Sequence, residues 1–259
     1  MNRWLKGLNR IEFLVTEACT GACKHCSQGG SSGKRHIDRE LAVNAVREIC
    51  GHWDIQSVMT FGGEPLLQPE TVCAIHRTAT EMDVPKRQLI TNGYFTKDEA
   101  RMRTIARALW ESGVNDLLLS VDAYHQETIP VEIVKTFALV CCEAGLPVRI
   151  QPAWLVSREA DNPYNRCTRM LLDEFRLLDF FVGEGNVIFF EGNARLYLKD
   201  YFAHQPAVVN PYWEDPKGLT SISVEADGTL LQGNIYRQTV LEILESYDPE
   251  KVLPPKEKM

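Results

Sequence analysis

Apolar positions along the chain fall into short runs separated by longer stretches with helical spacing. Residues 11–15, 57–61, 88–91, 117–121, 148–152 and 187–190 are short and apolar and mostly lack strict alternation, the pattern of strands covered on both faces. Between them, Leu41, Ala45 and Ile49 share one helical face behind a candidate N-cap, Asp38. A second helix is expected over 70–82 after Pro69, a favourable first-turn residue. A third over 97–112 carries Met102, Ile105, Ala106 and Leu109 and stops at Gly113, and a fourth over 130–144 stops at Gly145. A fifth is expected over 165–178.

Repeated strand–helix–strand units require parallel pairing with right-handed crossovers. Six of them predict an α/β fold, an open or partly closed barrel. Reactive groups in such sheets sit at the carboxyl ends of the strands. Candidate residues recur there: Cys19 after the first strand, Gly62-Gly63-Glu64-Pro65 after the second, and Asn92-Gly93 after the third. Ser120 and Asp122 end the fourth, Gln151 the fifth and Glu191 the sixth. The pattern changes after about Tyr197. Residues 201–218 read as loop, Ala226-Asp227-Gly228 marks a hairpin between 222–225 and 229–231, and 239–247 reads as a last helix. The tail over 249–259 is Pro- and Lys-rich and expected to fray. The expected division is a barrel over 1–198 and a short extension over 199–259.

Composition narrows the classes. The 259 residues are 44% apolar and 24% charged, enough for a full core. A net charge of -7 without a dense Lys/Arg run argues against a nucleic-acid partner. No apolar run is long enough to span a bilayer, and the first residues lack a signal core, so a cytoplasmic chain with no membrane partner is expected. Of 8 cysteines, Cys50, Cys73, Cys141, Cys142 and Cys167 lack metal-type spacing. They are expected to be buried small side chains rather than bridges.

The other three, Cys19, Cys23 and Cys26, lie in Cys19-Thr-Gly-Ala-Cys23-Lys-His-Cys26 directly after the first strand. The spacing admits three readings. A structural zinc site would need a fourth ligand such as His25 or His36. A redox dithiol would use Cys23-Lys-His-Cys26 and leave Cys19 unexplained. A four-iron cluster would use all three thiolates and leave one iron open for another ligand. Gly62-Gly63-Glu64-Pro65 bears on the choice: the glycines allow close backbone approach, and the Glu64 carboxylate can take an ammonium group. Taken alone it reads first as a tight turn with a surface glutamate. A passive electron carrier or metal-binding scaffold has no need of such a carboxylate beside an open iron.

Together, Cys19-x3-Cys23-x2-Cys26 after strand one and Gly62-Gly63-Glu64-Pro65 after strand two resemble the radical S-adenosylmethionine (radical SAM) family, over about residues 11–198. The resemblance implies a partial (βα)6 barrel, a partial TIM barrel. It implies an iron–sulfur enzyme in which Cys19, Cys23 and Cys26 hold one [4Fe-4S] cluster and the amino and carboxylate groups of S-adenosyl-L-methionine reach the fourth iron. Gly62, Gly63 and Glu64, with Pro65, would hold the methionyl amino group. Reductive cleavage would give a 5′-deoxyadenosyl radical that abstracts hydrogen from substrate. His25 takes the place of the aromatic residue near the adenine. Asn92 resembles the strand-three end, Ser120 and Asp122 the strand-four S-x-D, and Gln151 the strand-five position. An external one-electron reductant of flavodoxin or ferredoxin type is implied.

Gly192-Asn193-Ala194-Arg195 resembles the G-R-A run of the MoaA/SPASM-like group, with Asn193 in place of the arginine. Residues 221–235 look like the opening of a SPASM domain, but no cysteine follows Cys167, so no auxiliary cluster is expected there. Relatives of this kind point to a peptide or protein side chain as substrate, with a small metabolite as the alternative. Only about ten residues precede strand one, so a separate chain is expected to deliver a peptide. Tyr124 and His125, on the same rim, are candidates to return a hydrogen atom or move a proton, or are simply a solvent-exposed helix entry.

Overall fold

The computed structural model describes residues 2–29, 33–203, 210 and 212–251. The expected loop over 201–218 lies partly, and the tail beyond 251 wholly, outside the described residues.

Five strands alternate with helices as the apolar pattern predicts: β1 Arg10–Leu14, β2 Ser57–Phe61, β3 Lys86–Thr91, β4 Asp116–Ser120 and β5 Val148–Gln151. They pair in parallel in that order. Short strands β6 Ala153–Trp154, β7 Phe181–Val182 and β8 Asn186–Val187 follow, then β9 Ser221–Val224, β10 Thr229–Leu230 and β11 Gly233–Asn234. The helices are α1 Arg39–Cys50, α2 Pro69–Glu81, α3 Glu99–Glu111, α4 Ala123–Gln126, α5 Val131–Glu143, α6 Pro163–Leu177, α7 Asn193–Tyr197, α8 Lys199–Phe202 and α9 Val240–Ser246. Asp38 caps α1 by accepting from Leu41 N, and Thr239 and Glu242 close a capping box on α9.

The sixth strand differs from expectation. The strand that pairs with β5 is β7, not residues 187–190. Gly183 and Gly185 break the apolar stretch that starts at Phe180, so one half joins the sheet and the other, β8, pairs with β6 in a separate two-stranded sheet. Phe181 is left exposed on the sheet's edge. Nor are the strands apolar on both faces. Ile11, Phe13, Val58, Leu89, Leu117, Leu119 and Ile150 are buried in the core shared with the helices. The alternate positions face the lumen and join in a polar belt. Arg10 bonds Glu12, Ser57 and Gln88; Gln88 bonds Asp116, which Arg149 pairs. The belt uses positions toward the starts of the strands, which leaves their carboxyl ends to other polar groups.

The C-terminal segment is hydrogen-bonded into the barrel sheet. β9 runs parallel beside β1, and the expected hairpin at Asp227-Gly228 turns into β10 and β11. α9 packs on α1, and Asn2 Nδ2 donates to the carbonyls of Leu244 and Tyr247. The edge of β1 is thereby covered, which removes an unpaired row of backbone groups. Cys142 and Cys167 are exposed rather than buried, because each sits on the outer face of its helix.

Candidate active site

The loop after β1 is held on three sides. On the first, Gly63 N donates to Thr16 O and Glu64 N to Ala18 O, at 2.7 and 2.8 Å. That approach explains both glycines. A Cβ on Gly62, whose φ is +156°, would stand 2.5 Å from Thr16 O, and one on Gly63 would stand 2.2 Å from Ala18 O. The pair is therefore built to seat the cysteine loop, a role that the sequence reading assigned to ligand approach. On the second side, Ala22 N donates to Thr128 Oγ1 and Lys24 pairs with Glu127. On the third, Asn193 N donates to Cys26 O at 2.9 Å and Asn193 Nδ2 to Cys23 O at 3.0 Å. A Cβ on Gly192 would stand 2.4 Å from Cys26 O. The Asn193 clamp is the functional contact the sequence reading missed. Its signal was the Gly192-Asn193 pair after the sixth strand.

The three thiols share one short loop, and Cys19 and Cys23 each sense the charge of Cys26. Burial pushes the Cys19 thiol up, and the charges of Glu64 and Cys26 add to it. Burial likewise pushes Cys23 up, with Asp122, Cys19 and Cys26 adding. Thiols whose ionisation is opposed in this way at Cys19 and Cys23 are stabilised as thiolates by a cationic centre beside them.

Glu64 is fully buried. Its Oε1 accepts from Leu66 N and Thr91 Oγ1, and its Oε2 accepts from Asn92 N, at 2.7 to 2.9 Å. No salt bridge among the described residues reaches it. Burial raises its pKa to about 7 despite these three donors. Among the described residues no hydrogen bond ends on the carbonyls of Gly62 or Gly63. The turn thus offers a buried carboxylate and two carbonyls without a partner among the described residues, an acceptor set that suits an ammonium group. Asn92 links the two parts of the site: its side-chain amide lies 3.7 Å from Cys19 Sγ and 3.2 Å from Thr20 Oγ1. Pro65 opens the 3₁₀ turn that aims Leu66 N at the carboxylate.

The strand-four end is differently arranged. Asp122 is also fully buried, but it accepts from Tyr124 N, His125 N, His125 Nδ1 and Ala153 N. Burial would raise its pKa, yet the His125 charge and hydrogen bond hold it down at about 2. Asp122 is therefore the cap of α4 and the anchor of His125 rather than a free ligand group. Tyr124 and His125 are not a solvent-exposed helix entry: Tyr124 is fully buried, and His125 packs against His25 with ring centroids 4.8 Å apart. Ser120 and Gln151 stand side by side in register at the lumen, and Gln151 Oε1 is buried without a partner among the described residues. His25 also packs against Tyr124 with the rings tilted by 40°, and Tyr124 stacks on Tyr164. Burial lowers the His25 pKa to about 4. His36 is exposed, and its backbone bridges Thr16.

The structure thus brings Cys19, Cys23, Cys26, His25, Gly62, Gly63, Glu64 and Asn92 around one mouth, with Ser120 and Gln151 on the lumen wall. The donor set fits a cluster with one open iron: three thiols on one loop, and beside them a buried carboxylate that no salt bridge among the described residues reaches.

The family model described as the Radical SAM superfamily matches residues 13–148, just over half of the chain. Among curated proteins, a probable GTP 3′,8-cyclase of Saccharolobus islandicus is 27% identical over 128 residues, covering 49% of this chain and 39% of that protein. A GTP 3′,8-cyclase of Aeromonas hydrophila is 25% identical over 130 residues, covering 46% and 36%. The chain thus spans only about two fifths of the length of the curated relatives it matches. Among solved structures, native anSMEcpe with bound AdoMet superposes with a TM-score of 0.60 at 17% identity, covering 92% of this chain and 80% of that one. Streptococcus suis SuiB bound to S-adenosylmethionine gives a TM-score of 0.57 at 14% identity, covering 93% and 66%. Both likenesses concern the fold. No helix among the described residues is long and apolar enough to cross a membrane.

Proposed function

The chain belongs to the radical SAM superfamily, whose members use a [4Fe-4S] cluster and S-adenosylmethionine, and from that premise we propose a division of labour among its residues and a substrate class. Cys19, Cys23 and Cys26 hold the cluster. Gly62 and Gly63, through their carbonyls, and Glu64, through its carboxylate, hold the methionyl ammonium. When bound, the cluster and S-adenosylmethionine supply the electron transfer and the carbon radical that takes hydrogen from substrate.

The chain's own residues position and protect. Asn92 ties the Cys19 side of the loop to Glu64, so cluster and ammonium sites move as one. Ser120 and Gln151 present polar groups from the lumen wall toward the ribose and carboxylate. Asp122 acts through His125, which it fixes beside His25 at the adenine side. Tyr124 and Tyr164 close the mouth against water behind them. Residues 1–198 form the catalytic barrel and 199–259 an extension that covers its β1 edge, in a cytoplasmic enzyme reduced by a flavodoxin- or ferredoxin-type partner.

The substrate in this reading is a peptide or protein side chain. Support comes from the rim next to the cysteine loop, where Phe190, Leu196, Tyr197 and Tyr201 are exposed. Such an apolar rim suits an extended chain more than a small polar molecule. A small-metabolite substrate is the second reading, favoured by the curated relatives, which are named as GTP cyclases.

The observation that carries the functional reading is the buried Glu64 beside the cysteine loop, which no salt bridge among the described residues reaches. Its test is anaerobic incubation of the reconstituted, reduced enzyme with S-adenosylmethionine, followed by chromatography for 5′-deoxyadenosine. The expected result is formation by the wild type and loss in Glu64→Gln. Equal formation by both would remove Glu64 from the site.

A further inference from the structure

His25 and His125 meet a cysteine in a way that cluster binding does not use. The Cys23 sulfur and one ring nitrogen from each histidine all lie within 4.8 Å of one another. That is close enough for small side-chain rotations to bring them onto a single small ion, whose bonds of about 2.0 to 2.3 Å at tetrahedral angles set ligand atoms about 3.3 to 3.7 Å apart. Two further observations point the same way. His125 Nδ1 lies 2.8 Å from Asp122 Oδ2, and an ionised carboxylate only accepts, so Nδ1 carries a proton and Nε2 is the nitrogen left to meet a metal. That carboxylate–imidazole arrangement is the one that orients a metal-bound histidine. His25 Nδ1, in turn, is buried with no hydrogen-bond partner among the described residues.

We propose that Cys23, His25 and His125 form a mononuclear site for a divalent ion of the zinc type in the chain that carries no cluster. One thiolate and two imidazoles are a borderline-soft set that suits zinc, and its filled d shell imposes no geometry on them. Binding releases to solvent the Cys23 S–H proton and the second proton of the His125 imidazolium, so that both imidazoles bind neutral. The charges then balance: the ion's two positive charges meet the Cys23 thiolate and the Asp122 carboxylate behind His125. A fourth position stays open to water. Because Cys23 is shared, the ion and the [4Fe-4S] cluster exclude each other. Zinc in this site leaves only Cys19 and Cys26 for iron and holds the enzyme in a cluster-free, inactive form.

The test is cobalt substitution on the full chain purified without its cluster, followed by zinc competition. The expected result is one Co²⁺ per chain with tetrahedral d–d bands and a single-thiolate charge-transfer band, both erased by zinc. Cys23→Ser should abolish the charge-transfer band. His25→Ala and His125→Ala should each weaken binding at least about tenfold, whereas Cys19→Ala and Cys26→Ala should keep the spectrum. Circular dichroism of each variant separates lost ligation from lost fold, and His125→Gln, which keeps the side chain's bulk, should behave like His125→Ala. Zinc-loaded wild type should also take up no iron–sulfur cluster on reconstitution. Cobalt binding that survives both histidine variants, or that needs Cys19 and Cys26, would overturn the proposal. That failure would leave the three-cysteine cluster untouched, since iron content reads the cysteines and the cobalt spectrum reads the histidines.

Discussion

Two carboxylates at two strand ends of the same barrel are equally buried and oppositely poised. Glu64, after β2, is pushed up to about 7, while Asp122, after β4, is held at about 2. Burial acts on both in the same direction. What differs is the company: Asp122 has an imidazole at 2.8 Å and three backbone amides, whereas Glu64 has two amides, a hydroxyl and only the weaker, unbonded influence of the His125 charge. A buried anion without a cation is costly, and a fold keeps one where a ligand will supply the missing charge. Asp122 already has its cation and serves structure. Glu64 waits for one.

The comparison can be broken at several levels. The largest effect concerns the ground on which Glu64 stands. Cys23→Ala should lose the cluster's iron, whereas Cys142→Ala, on an exposed helix face, should keep it. Equal iron loss in both, by metal analysis after reconstitution, would mean that the ligands are misassigned. Next, the two carboxylates should fail in different ways. Glu64→Gln should lower S-adenosylmethionine affinity about a hundredfold, the order expected for removing a charge partner from a buried pair, with little loss of thermal stability. Asp122→Asn should do the reverse, costing about 3 kcal/mol of stability by stranding His125 and weakening the α4 cap. Calorimetry of binding and of unfolding, run on both variants, would detect a reversal.

The subtler effect is the pH dependence. The folded Glu64 pKa of about 7 lies above the ordinary 4.5, so the ligand-free folded state holds its proton more tightly than the unfolded chain. Its contribution to stability is therefore full below about 4.5 and is lost as pH rises to about 7. Binding of an ammonium group should have the opposite trend and tighten as pH rises through 7. Glu64→Gln should flatten both curves, and thermal melts and binding titrations between pH 5 and 8, a window chosen to bracket that pKa, would show whether it does. Asp122, whose folded pKa lies below its ordinary 3.8, contributes stability that is lost only as pH falls toward 2.

Much of this was legible in the chain. The cysteine spacing, Gly62-Gly63-Glu64-Pro65 and the first five strand–helix units are local patterns, and local patterns fix elements well. The sixth strand was not legible, because a two-residue strand split from its neighbour by Gly183 and Gly185 carries almost no periodic signal. The polar lumen was hidden for a related reason: Arg10, Glu12, Gln88, Asp116 and Arg149 neutralise one another across strands, and such pairings depend on register. The same holds for the site. Glu64 could be named from sequence, but whether it or Asp122 lacks a cation depends on His125 folding back three residues onto Asp122. Asn193 was visible as a departure from a familiar pattern, and its contact with the Cys23 and Cys26 carbonyls depends on how α7 docks.

The most direct measurement is electron paramagnetic resonance on the anaerobically reconstituted, reduced enzyme, with and without S-adenosylmethionine, in wild type and Glu64→Gln. The account predicts a four-iron signal that changes shape on adding S-adenosylmethionine in the wild type and changes far less in the variant. A wild-type signal indifferent to S-adenosylmethionine, or a variant that responds as the wild type does, would contradict it.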